Sequence, residues 1–364
     1  MVRDRIRELA AESIDWNYLF VFARRHGVLP LFYSRLQQSA ADVIPPDQLQ
    51  QLRKYFQENS ARNVLLTAEL RRLIDLFAKH GIEAIPYKGP VLALFAYGDT
   101  ALRRFVDLDV MVRKEDVERA IDLIILEGYE FSKSLDTTQQ KILLRTQHNV
   151  QFWRYNRQLI LELHWEVASH LFASSVQAND LWKQLVKIDV NGATLKTLAV
   201  EDLIFSLAVH GSRHLWERLL WICDVAWIIR RHDLNWPGLM ERARSTKTER
   251  MFLLGLDLCS RLLNVTLPDP IAEQIKNDST LAALATRVTE DLFAAEHKPA
   301  TTFQIFSYNV RVRRSWSSRL RYFRHVFKPT DRDVNALVLP APFSFGYYLM
   351  RPFRLLFKTG EDLH

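Results

Sequence analysis

The pattern of apolar and polar positions changes twice along the chain. Up to about His80, apolar residues recur at helical spacing. The longest such stretch opens at Pro46-Asp47-Gln48-Leu49 and runs to His80, where Gly81 supplies a helix stop. Shorter runs follow. Residues 82–87 are an apolar strand candidate ending in Lys88-Gly89-Pro90, and residues 91–97 read as a helix. Residues 104–112 alternate apolar and acidic side chains, which predicts a strand with two different faces. Residues 114–127 form an amphipathic helix stopped by Gly128, and residues 129–131 begin a short strand. Two more strand candidates, 149–155 and 159–167, flank the turn Asn156-Arg157-Gln158, and residues 189–198 resemble a hairpin about Asn191-Gly192. From Val200 the spacing is helical again. Helices, then mixed strands and helices, then helices make an α+β arrangement.

This order divides the chain into an N-terminal helical region (1–80), a strand-containing core (81–199), a C-terminal helical domain (200–300) and a tail (301–364). A length of 364 residues suits two or three such domains. With 48% hydrophobic and 25% charged residues, the composition is that of a soluble globular protein and excludes a disordered or low-complexity one. Cys223 and Cys259 lie in apolar helical stretches and read as small buried hydrophobes, which fits a reducing, cytoplasmic setting. The N-terminus is charged and amphipathic, without the apolar core of a secretory signal. Residues 336–350 come nearest to a membrane span, but Pro340, Pro342 and polar residues interrupt them, so no transmembrane segment is expected.

The net charge of +7 lies in the tail, where eleven Lys and Arg face four Asp and Glu. There Arg311, Arg313, Arg314, Arg319, Arg321 and Arg324 alternate with Trp316, Tyr322 and Phe323, a composition able to hold a nucleic acid backbone. Residues 343–357, with Arg351, Arg354 and Lys358, would equally suit an anionic membrane surface. A basic helix packing its aromatic residues on the body needs no partner at all.

The chemistry-bearing residues are in the core. Side chains alternate along a strand, so Asp107 and Asp109 share one face while Leu108 points into the packing. Such a pair is tolerable in water or around a cation, and Mg²⁺ prefers oxygen ligands. Glu162 and His164 share a face of the next acidic strand, where Glu162 would complete a two-metal site. His164 would touch metal or nucleotide, or pack beneath the sheet. Lys88-Gly89 stands between a strand and a helix, where a glycine lets phosphate approach the backbone and Lys88 adds positive charge. Arg103 and Arg104 would contact phosphate or pair with the carboxylates. His210 and His214 lie one helical turn apart, and fit either closure of a nucleotide cleft or a helix-packing hydrogen bond. Asp224 in an apolar helix calls for a partner, Arg218 or a histidine, and His148 is a weaker candidate. Trp216, Trp221 and Trp227 offer a base-stacking platform, but their spacing among Leu and Ile favours core packing.

Taken together, Tyr87-Lys88-Gly89-Pro90, Arg103-Arg104-Phe105-Val106-Asp107-Leu108-Asp109-Val110-Met111-Val112 and Leu161-Glu162-Leu163-His164-Trp165 resemble the bacterial uncharacterised nucleotidyltransferase family of the polymerase-beta superfamily. The likeness extends to His210, to His214–Leu219, to Asp224, and to Leu337-Val338-Leu339-Pro340 and Arg351-Pro352. It implies a small mixed β-sheet flanked by helices and a nucleotidyltransferase core at 81–199. It also implies a nucleoside triphosphate donor, expected to be ATP, and Mg²⁺ (or Mn²⁺) held by Asp107, Asp109 and Glu162. Lys88, Gly89, Arg103, His164 and His210 are the expected nucleotide contacts. The family's broader relatives place a small residue after the glycine, whereas this chain has Pro90. The acceptor would be a small molecule, peptide or glycan. A catalytically inactive binding protein of a biosynthetic pathway is the other reading, and a transferase gripping RNA through the tail is a third.

Overall fold

The computed structural model describes residues 2–131, 148–166, 181–294, 296 and 298–326. Within it the chain is α+β, with fourteen described helices, a five-stranded mixed sheet and a separate two-stranded one. The described residues fall into two compact units. One lies within Met1–Ser169, Val176–Ser206 and Arg218–Leu234, and the other within Leu207–Glu217 and Asn235–His364.

The first unit begins with helices α1 (Val2–Ala11), α2 (Trp16–Arg25) and α3 (Leu29–Ser39), which bury Ala23, Leu29, Tyr33 and Leu36 against the start of α4 (Pro46–Lys79). Helix α4 is long because nothing in it breaks the helical spacing until Gly81, whose φ of 67° lets Ile82 return its N–H to the Phe77 carbonyl. Its second half presents Leu66, Leu70, Leu73 and Phe77 as one buried stripe.

That stripe packs on the large sheet. In the order β1-β2-β5-β4-β3, its strands are β1 (Ala84–Pro86), β2 (Asp107–Val112), β5 (Leu159–His164), β4 (Asn149–Arg154) and β3 (Glu130–Phe131). Only the β2–β5 pair is parallel. Leu108, Val110, Val112, Leu161, Leu163 and Phe152 form the face buried against α4 and α6 (Val117–Leu126). Because strand side chains alternate, Asp107, Asp109, Glu162 and His164 must lie on the opposite face.

Several boundaries differ from the sequence pattern: β1 is shorter than 82–87, β5 ends at His164, and the small hairpin begins at Val186. The acidic strand starts at Asp107 rather than residue 104, and the segment that leads to it is held by α4. Buried Asn63 of α4 donates to the carbonyls of Thr100 and Arg103 at 2.7 and 2.8 Å, and Asn59 donates to that of Ala101 at 3.1 Å. Those carbonyls therefore accept from a helix and not from a strand. The helix expected over 114–127 begins as a single 3₁₀ turn, Lys114–Asp116, before α6.

Helix α5 (Pro90–Tyr97) joins β1 to the approach of β2. The hairpin of β6 (Val186–Val190) and β7 (Ala193–Thr197) turns through Asn191 and Gly192 at φ 52° and 80°, the two positive values that a two-residue turn of this type requires. Helices α7 (Val200–Arg213) and α8 (Leu219–Arg231) follow.

The second unit holds α9 (Trp236–Ser245), α10 (Glu249–Leu263), α11 (Asp269–Lys276), α12 (Ser279–Leu292), α13 (Thr302–Arg311) and α14 (Trp316–Val326). Trp216 is fully buried there, its ring so close to Gly211 and Gly255 that a Cβ on either would come within 2.9 Å of it. This tryptophan is core and not a stacking platform. The tail arginines divide. Arg313 is buried under the Tyr322 ring, Arg314 pairs with Glu249 at 2.8 Å, and Arg319 donates to the Arg313 carbonyl. Residues 343–357, Leu337–Pro340 and Arg351-Pro352 lie outside the described residues. No described helix is long and apolar enough to cross a membrane.

Candidate nucleotidyl-transfer site

The register of the parallel pair builds the site. Asp109 lies directly opposite Glu162, Asp107 opposite Ile160, and Met111 opposite His164. Glu162 and Asp109 are thus cross-strand neighbours on one face, with Asp107 two residues away along β2. Strand β4 adds to the same face, since Gln151 is paired with Glu162 and Asn149 with His164.

His164 sits at the centre. Its Nε2 is 3.1 Å from Asp109 Oδ1 and 3.3 Å from Glu162 Oε2, and its Nδ1 is 3.1 Å from the hydroxyl of Tyr87. Carboxylates only accept, so in the metal-free protein Nε2 carries the proton. Burial opposes a charge on this ring, but the hydrogen bonds to Asp109 and Glu162 outweigh it and raise its pKa.

Lys88 arrives from the end of β1 and donates to the same Asp109 oxygen at 2.9 Å. Burial disfavours its ammonium, and the negative charge of Asp109 more than restores it, so its pKa is raised. Burial likewise pushes Asp109 upward, but Lys88 and His164 prevail and hold its carboxyl below the ordinary range. Glu162 accepts from Asn149 at 3.2 Å and from Gln151 at 3.4 Å, and Gln151 in turn accepts from the Trp153 indole at 3.0 Å. Despite burial, the hydrogen bond from His164 keeps Glu162 below its usual pKa.

Asp107 differs. Burial, then the charges of Asp109 and Glu162, push it up to about 6. The sign of its effect on stability follows. The fold favours protonated Asp107, so its contribution is present below about pH 4 and is lost as pH rises through about 6. Thermal denaturation of the metal-free protein should therefore show the wild type losing stability relative to Asp107→Asn between pH 4 and 6. A pH-independent difference would contradict the assignment.

Gly89 adopts φ 55° and ψ −125° immediately before α5. A side chain there is strained, and its Cβ would lie 3.4 Å from the Asp107 carbonyl. Gly89→Ala is expected to cost about 1–3 kcal/mol in chemical denaturation. A loss within error would show that the turn relaxes freely.

Arg103 is 7% exposed, and its guanidinium is bound through two hydrogen bonds of 3.0 Å to fully buried Asp224 of α8. The Tyr97 hydroxyl donates to the same carboxylate at 2.8 Å. Asp224 thus has Arg103 and Tyr97 as partners, and not Arg218, whose guanidinium is over the Trp221 ring. His210 lies on α7 in the second unit, its ring 4.7 Å from that of His214. Among the described residues no third ligating side chain joins that pair. His148 is buried, its ring 6.4 Å from that of His164.

Asp109, Glu162 and His164 each offer a ligand atom within 4.8 Å of the others, a donor set that fits a divalent cation. Asn149 and Gln151 were not apparent as site residues from sequence. The signal was the polar alternation Asn149, Gln151, Trp153 in a strand whose other face is Val150 and Phe152.

The strand-borne carboxylates of the mixed sheet thus stand beside the Lys-Gly turn, with Lys88 donating to Asp109. The chain belongs to the uncharacterised nucleotidyltransferase family, which matches residues 12–264 and so spans every side chain of this site. No curated protein matches the chain.

Proposed function

We propose that the protein transfers a nucleoside monophosphate from a nucleoside triphosphate, ATP first among them, to the hydroxyl of an acceptor. The observation that carries this reading is the register, with Glu162 directly opposite Asp109 and Asp107 on the same face. The acceptor oxygen attacks the α-phosphorus, the bond to the bridging oxygen breaks, and pyrophosphate leaves in line. The acceptor's proton passes to a carboxylate of the site. Asp107, Asp109 and Glu162 would hold Mg²⁺ or Mn²⁺, which supplies charge against the α-phosphate and the leaving pyrophosphate. Asn149 and Gln151 fix both oxygens of Glu162, and Lys88, which donates to Asp109, would add positive charge beside the triphosphate. Gly89 keeps the turn free of a side chain where phosphate would approach. Arg103, engaged by Asp224, serves by anchoring the approach to β2.

A second reading keeps the binding and lacks the chemistry. It draws on Lys88 and His164, which already compensate Asp109 at one oxygen. ATP labelled in parallel at the α- or the γ-phosphate, with Mg²⁺ or Mn²⁺ and cell extract as acceptor source, separates the two. Transfer of the α-label with release of pyrophosphate supports the enzyme. Metal-dependent binding without pyrophosphate release supports the accessory protein, and transfer of a γ-label would replace both with a kinase.

A further inference from the structure

We infer that the cation site selects Mn²⁺ over Mg²⁺, because His164 contributes a nitrogen ligand beside Asp109 and Glu162. The inference rests on the proposed metal-dependent reading and goes further, in assigning His164 a ligand role and the site a metal preference.

The geometry has three parts. First, the His164 Nε2 lies 3.1 and 3.3 Å from one oxygen each of Asp109 and Glu162. Neighbouring ligands on a six-coordinate ion with bonds of about 2.1 Å are separated by about 3.0 Å, so the nitrogen already stands near one shell edge from each oxygen, and the three ligand atoms lie within 4.8 Å of one another. Second, the imidazole is held by its other nitrogen. Tyr87, buried and 3.1 Å from Nδ1, gives that nitrogen a hydroxyl partner, and histidine ligands characteristically have such a partner opposite the metal. The two rings meet edge-on at 87°, which fixes the plane of the imidazole. Third, register places the ligand rather than side-chain flexibility. His164 is two residues beyond Glu162 on β5, opposite Met111 on one side and Asn149 on the other.

Mg²⁺ coordinates oxygen almost exclusively, whereas imidazole nitrogen is a good ligand for first-row transition ions. Among these, Mn²⁺ also accepts a shell otherwise made of carboxylate, phosphate and water oxygens. To act as ligand the neutral ring would take its other tautomer, the Nε2 proton leaving to water and a proton from water being taken up at Nδ1, which would then donate to the Tyr87 oxygen. The Tyr87 hydroxyl can turn to accept, a freedom that a backbone N–H at that position would not provide.

The test uses the full chain with Mn²⁺ or Mg²⁺ alone. Calorimetry is expected to give at least tenfold tighter binding of Mn²⁺ than of Mg²⁺. Pulsed paramagnetic resonance of bound Mn²⁺ should show ¹⁴N coupling that becomes ¹⁵N coupling in protein labelled at histidine. Both the coupling and most of the preference should be lost in His164→Asn. His164→Gln serves if the first variant does not fold, and the labelled wild type reads the nitrogen without any variant. Mn²⁺ bound without nitrogen coupling, or coupling and preference that survive replacement of His164, would overturn the inference while leaving the carboxylate site standing. Failure of the wild type to bind either ion would overturn the metal-dependent reading as well.

Discussion

Asp109→Asn is expected to reduce nucleotidyl transfer by at least about 10³-fold, which corresponds to roughly 4 kcal/mol of lost transition-state stabilisation. The side chain is placed so that little else can replace it. It is 4% exposed, stands opposite Glu162, and takes both Lys88 and His164 on one oxygen. An amide keeps the shape but removes the charge that a cation needs. The fold should survive at reduced stability, because the attraction of Lys88 and His164 that keeps Asp109 ionised is lost, while the amide oxygen still accepts from Lys88 and the repulsion acting on Asp107 is relieved. Steady-state pyrophosphate release and thermal denaturation, measured on the same preparation, check the two halves. A folded variant with unimpaired transfer would remove Asp109 from the chemistry, and an unfolded one would make it structural.

Asp224→Ala is expected to give the largest loss of stability, about 3–5 kcal/mol, because it strands a guanidinium that the fold has removed from water. Arg103 is held there by two hydrogen bonds to Asp224, and burial alone would lower its pKa had Asp224 not raised it. The Tyr97 hydroxyl would lose its acceptor in the same change. For a compact unit of this size, the expected fall in Tm is roughly 10 °C. The double variant Arg103→Met with Asp224→Leu should recover most of it, since no unpaired charge remains. Equal losses in the single and double variants would show that packing, rather than charge, dominates at this position.

How much of this was legible in the sequence depended on the range of the interaction. The acidic strand, its alternation and the third carboxylate could be read locally, because a strand's period of two fixes which residues share a face. The convergence of Glu162 on Asp109 was expected only as a third acid from a neighbouring strand; the pairing, direction and register that produce it were not readable. The same limit applies to Asp224. Its isolation in an apolar helix signalled a partner, but Arg103 lies 121 positions away and is joined to it only by the tertiary fold. Asn63 shows the converse, a polar residue within a helical stripe whose purpose appears only with the carbonyls of Thr100 and Arg103 against it. Gln151 and Asn149 carried no catalytic signature, because their role is to hold Glu162.

The most direct test is an anomalous-scattering map of crystals soaked with Mn²⁺ and a non-hydrolysable ATP analogue. A peak is expected about 2.0–2.6 Å from carboxylate oxygens of Asp109 and Glu162, with the analogue's phosphates beside it. A nucleotide bound elsewhere, or manganese on other ligands with these carboxylates still paired to Lys88 and His164, would contradict it.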